Sequence, residues 1–162
     1  MIWPVKPALT VALVLALAGC GVPDDGNNHG YGYHYDVLGE SGLRLRYTPA
    51  LQPSSPVYEY LSSVEFHEAT FQRMQDCMGL TAPAPFTIIV EPGSLGSLNG
   101  IPLAGYYFTN PSLIVLAANE VGALRHEDTH YLLHHGTGDL DPEHLTAAFK
   151  APDGCAWSVP WR

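Results

Sequence analysis

An α+β layer structure, with helices covering one face of a small, mostly antiparallel sheet, is the fold class this sequence predicts. Three observations lead there. The patterns along the chain run strand, helix, several strands, helix, so that most strands cluster together and do not alternate regularly with helices. The strand-like runs are short, partly β-branched, and punctuated by turn signals such as Pro-Gly and Asn-Pro. Hydrophobic residues make up 46% of the 162, enough for one core and one domain.

Taken in order, residues 1–19 stand outside that domain. A lone Lys6 leads into an apolar run from Ala8 to Ala18, which reads as an export signal. The run is about a dozen residues long, whereas a membrane-spanning helix takes about 20. Its end, Leu17-Ala18-Gly19-Cys20, resembles the lipobox of bacterial lipoproteins. That resemblance implies cleavage before Cys20, a lipid on Cys20 and anchoring to a membrane of the bacterial cell envelope; Gly21 in place of Asp favours the outer membrane. Residues 20–40, rich in Gly, Asn, Asp and Tyr, are expected to form a flexible tether with His29 and His34 solvated.

The domain proper, residues 41–162, begins with alternating apolar and basic residues at 42–49, a first strand. Tyr60, Leu61, Val64, Phe71 and Met74 recur at helical intervals and predict one long helix over 57–78, with His67 at its surface or boundary and Cys77 at its end. Residues 86–93 are a β-branched strand stopped by Pro-Gly. Two more strands, 105–109 and 112–117, flank Asn110-Pro111. Asn119 is placed to cap a second helix carrying Val121, Leu124, Tyr131 and Leu132 and ending at Gly136. Asp141-Pro142 looks like the cap and first position of a further short helix, with His144 in its first turn.

The second helix holds the chemistry. His126 and His130 in "RHEDTH" are four residues apart, which on a helix means about 40° around and about 6 Å along the axis, close enough to share one ion. Glu127 lies beside such an ion without occupying a coordination position, as a general base must. His134 is about 12 Å along the axis from His126 and cannot join both; paired with His130 it is a rival site without a glutamate, and His135 faces away. His144 is the expected third ligand, Asp139 the alternative and Glu143 a further contender.

The "HEDTH" segment resembles the signature of zincin-type zinc metallopeptidases, with the likeness covering mainly residues 118–155. The resemblance implies a zincin-like α+β fold, one Zn2+ on His126 and His130, and Glu127 as general base and proton shuttle in peptide hydrolysis. A ligand from a downstream helix resembles the gluzincin arrangement, with a histidine where that family has a glutamate. "GTGDLDPE" partly resembles the aspzincin signature, which would make Asp139 the ligand, but the tyrosine and final glycine are missing. Zincins bind substrate as an added strand, a part open to the 105–109 or the 112–117 strand. Tyr106, Tyr107 and Tyr131 are candidate oxyanion stabilisers. The competing expectation is a non-catalytic, zinc-stabilised envelope lipoprotein whose ion has four protein ligands and no water.

With 7 basic against 16 acidic residues, the net charge of -9 opposes a nucleic-acid partner. The expected partners are a peptide or protein substrate and, through the lipid, a membrane; the expected state is a monomer. Lipidation of Cys20 leaves Cys77 and Cys155 in an oxidising compartment, where they are expected to pair.

Overall fold

The structure, a computed structural model, describes residues 35–48, 57–82, 87–92, 94–118 and 120–160. The signal segment, Cys20, His29, His34 and most of the tether lie outside them, as does Asn119. Strands β1 (Tyr35–Leu38), β2 (Arg44–Tyr47), β3 (Thr87–Glu91), β6 (Gly105–Thr109) and β7 (Ser112–Ala117) form one sheet in the order β1-β2-β3-β7-β6, and β4 (Ser97–Leu98) pairs with β5 (Ile101–Pro102) in a small ribbon. Helices α1 (Tyr58–Leu61), α2 (Val64–Met78), α3 (Val121–Thr137) and α4 (Cys155–Ser158) complete the α+β fold, with a 3-10 turn at Ala147–Phe149.

The sheet is mixed, which corrects the mostly antiparallel expectation. The β1-β2 and β6-β7 pairings are antiparallel, while β2-β3 and β3-β7 are parallel. The cause lies in the connections: β2 and β3 are neighbours joined through α1 and α2, and a chain that crosses over a helix returns in the same direction. Alternation of side chains then gives the sheet two apolar faces. Ile88, Val90, Ile114 and Leu116 meet Leu61, Phe71 and Met74 from the first helical region and Leu124 and Leu132 of α3 in the main core. Ile89, Leu113, Val115 and Tyr106 form a smaller cluster on the other face.

Four local departures have physical causes. The tether was expected to reach residue 40, yet 35–38 are a strand: Tyr35 stacks on Tyr47 at 4.7 Å, and Asp36 is paired with Arg44 and Arg46. The first helix is broken at Ser62-Ser63, where Ser63 Oγ accepts the Phe66 N–H and caps α2. His67 is not at the surface but fully buried, Nε2 bonded to the Leu61 carbonyl, and burial pushes it down to about 4. Helix α3 runs past Gly136 to end at Gly138, whose φ of 80° supplies the left-handed stop; Gly136 instead makes room for Leu80, 3.0 Å from where its Cβ would lie.

Cys77 at the end of α2 and Cys155 at the start of α4 form a disulfide, as expected. No helix among the described residues is long and apolar enough to cross a membrane.

Candidate metal centre

Helix α3 packs under β6, and Gly105 lets the two approach closely. A Cβ there would sit 3.0 Å from the Ala123 side chain and 3.1–3.2 Å from Cγ and Oε1 of Glu127. Glycine at the start of a strand marks such close approaches, and Gly105 carries that signal in the sequence. The fit holds Glu127 against the sheet, 5% exposed, at the wall of a cleft of about 270 Å³. Burial pushes its carboxyl up to about 8.

His126 and His130 project into the same cleft from one face of α3, their rings 4.9 Å apart. The expected third histidine joins them, but not from a helix. Asp141 and His144 adopt φ of 50° and 55°, so no helix begins at Asp141-Pro142; the segment is a tight turn. Asp141 shapes it, its carboxylate accepting N–H bonds from Leu145 at 2.7 Å and Thr146 at 2.8 Å. The turn carries the His144 ring to 4.7 Å from His126 and 5.0 Å from His130. One nitrogen from each of the three lies within 4.8 Å of the others.

Protonation at this cluster can be argued from its partners. His130 Nδ1 lies 2.7 Å from the Leu140 carbonyl, which can only accept, so Nδ1 carries the proton and Nε2 keeps its lone pair. That Nε2 is 3.1 Å from His144 Nε2. Burial depresses His130, with the neighbouring His144 charge adding to it and the Leu140 bond opposing. Burial, with the charges of His130 and His144, pushes His126 down to about 4. Converging imidazole nitrogens, two of them on rings that burial disfavours protonating and one oriented by a backbone carbonyl, are what a divalent metal ion requires. The Phe149 ring backs all three at 4.4–5.0 Å and gives the cluster an apolar wall.

No family model matches the chain, and neither the curated proteins nor the solved structures give a significant match. What the site does must therefore be argued from its own residues.

Asp139 is not part of the convergence; its Oδ1 accepts the Asp141 N–H at 2.9 Å and helps to build the turn. Glu143 is exposed on that turn. Of the candidate oxyanion stabilisers, Tyr131 is buried in the main core, and Tyr106, though it also lines the cleft, has its ring buried in the smaller cluster. Tyr107 lines the cleft, but its hydroxyl is 2.9 Å from His134 Nδ1. Phe149, Gly105 and the Leu140 carbonyl were not anticipated. Nor was Asp128, fully buried, its oxygens without a hydrogen-bond partner among the described residues; burial and the adjoining Glu127 push it well above the usual carboxylate value.

Proposed function

We propose that this protein is a zinc-dependent metallopeptidase that hydrolyses peptide bonds, with His126, His130 and His144 as metal ligands and Glu127 as general base. One observation carries the reading: three imidazole nitrogens converge on an open cleft whose wall is a buried glutamate adjacent in sequence to the first ligand. The donor set fits zinc, for which three protein ligands and a free position are the catalytic pattern; the engagement of Asp139 elsewhere weighs against a closed four-ligand structural site. A bound Zn2+ would supply Lewis acidity, lowering the pKa of water and polarising a carbonyl oxygen.

The chain's own residues have separate tasks. Glu127, whose carboxyl burial pushes up to about 8, would be brought toward its ionised form by a bound dication and could then take a proton from water and return it to the leaving amine. The β6 edge strand beside the cleft offers main-chain groups to an extended peptide. β7 cannot serve, because it lies between β3 and β6. Phe149 limits water at the ligands. The lipobox-like segment ending at Cys20 supports an envelope lipoprotein, testable by the mass of the mature N-terminus.

The decisive experiment compares wild type with Glu127→Gln for zinc content and for cleavage of an unfolded peptide. The variant is expected to keep its zinc and lose at least about a hundredfold in rate, the span of general-base contributions. Cleavage at the wild-type rate by the zinc-loaded variant overturns the mechanism, and a zinc-loaded wild type that cleaves no unfolded peptide overturns the function.

A further inference from the structure

One helical turn beyond His130, a second group of donors gathers on the same helix. His134 and His135 turn toward β6 and β7, where Tyr107 and Ser112 meet them. The Tyr107 hydroxyl lies 2.9 Å from His134 Nδ1, 3.4 Å from His135 Nε2 and 3.4 Å from Ser112 Oγ, and Ser112 Oγ is 3.3 Å from His135 Nε2. We propose that His134, His135, Tyr107 and Ser112 form a second binding site for a divalent transition-metal ion, separate from the centre at His126, His130 and His144.

The spacing argues for it. Hydrogen bonds centre near 2.7–3.0 Å, and three of these four separations are at the outer limit of that interaction. These three, which join Tyr107, Ser112 and His135, are close to the donor–donor spacing of about 3.3 Å around an ion with bonds of about 2.0–2.1 Å. At the first centre, two ligand nitrogens stand at a similar 3.1 Å. Two imidazoles suit zinc, copper or nickel, and the Tyr107 and Ser112 hydroxyl oxygens would add weaker neutral donors, burial holding the Tyr107 phenol above its usual value. All four side chains are partly buried, so the site is open to an ion in solution. The Tyr131 ring, 4.4 Å from His135 and 5.4 Å from Tyr107, buttresses both donors from the core side.

The site does not depend on the peptidase reading, and counting ions separates the two. Equilibrium dialysis of the full chain against Zn2+ is run on wild type, His134→Asn with His135→Asn, and His126→Ala with His144→Ala. The first double variant is expected to bind one ion fewer than wild type, and so is the second. Should the His134/His135 variant bind as many ions as wild type, the second site is overturned whatever the first does. Loss of an ion in that variant with no loss in the His126/His144 variant supports the second site and overturns the first. Tyr107→Phe, which preserves the ring packing, guards against a misfolded double variant: roughly a tenfold weaker second ion is expected. An affinity within twofold of wild type for Tyr107→Phe removes the phenol from the site and with it the proposal.

Discussion

Helix α3 and the turn after it bring histidines to one place by opposite means. His126 and His130 are set by regular backbone, four residues apart on one helix face, and need only the helix. His144 sits at a φ of 55° in a segment with no repeating backbone bonds, so its position must be constructed. Asp141 accepts two backbone N–H groups, Asp139 accepts a third, and Lys150 donates to the His144 carbonyl at 2.7 Å. The difference teaches where each proposed ligand is vulnerable: the helical pair through its own side chains, the turn histidine through residues outside the cluster.

The largest effect should come from the helical side. His126→Ala removes a donor that nothing nearby replaces, and zinc affinity should fall roughly a thousandfold, about 4 kcal/mol, measured by competition with a chelator. A variant that binds zinc within tenfold of wild type would mean that His126 is not a ligand.

Next is the disulfide, which anchors the far end of the turn region. Cys155 opens α4, which packs on α3 and on the 3-10 turn bearing Phe149, and a side chain at Gly154 would collide with the carbonyls of Ala147 and Ala148. The bond spans 78 residues, so Cys77→Ser with Cys155→Ser should cost about 2–4 kcal/mol of stability in urea unfolding. If the comparison is right, zinc affinity falls as well, through His144. Unchanged affinity in a destabilised but folded variant would show that the turn holds its shape without the bridge.

This contrast also marks what the sequence could convey. The β6 and β7 boundaries, the existence of α3 and the pair His126 and His130 follow from periodicities of two and about 3.6, which are local. The Cys77–Cys155 pair was expected on the premise of an exported chain, and the two cysteines are bonded. His144 was legible by residue type, but its helix was not there: Asp141-Pro142 carries a genuine capping signal, and the Asp141 carboxylate does take backbone N–H groups, but those of a turn. Parallel pairing of β2 with β3, burial of His67 and the role of Gly105 depend on which elements become neighbours. No window of sequence contains that information.

Asp141→Ala tests the turn directly and should be weaker than loss of a ligand. It leaves the Leu145 and Thr146 N–H groups unpaired and should lower zinc affinity about 10–100-fold, the range for residues that orient ligands. Thr129→Val on α3 is the matched control: its hydroxyl bonds back to the Arg125 carbonyl of its own helix, and affinity should stay within twofold. The metal-free protein should show the same asymmetry with acid. Burial raises Asp141, but the N–H groups of Thr146 and Leu145 outweigh it and hold the carboxyl below its usual value. The folded state therefore binds fewer protons, so this stabilisation is present above about pH 4 and is lost as pH falls through the lowered value. Unfolding midpoints for wild type and Asp141→Asn should converge there; a constant gap down to pH 2 would remove Asp141 from the account.

The smallest effect should belong to Lys150, the outermost support of the turn. Its ammonium donates to the His144 carbonyl from an exposed position where water competes for both partners. At such an exposed position a charged contact contributes about 0.2–1 kcal/mol. Its geometry is also redundant, because the His144 N–H already bonds to the Asp141 carbonyl at 3.0 Å and closes the turn from inside. Lys150→Met keeps the aliphatic stem and removes only the donor, so zinc affinity should drop no more than about threefold by chelator competition. A drop as large as that of Asp141→Ala would reverse the order of support, placing the control of His144 at the rim and not in the buried carboxylate.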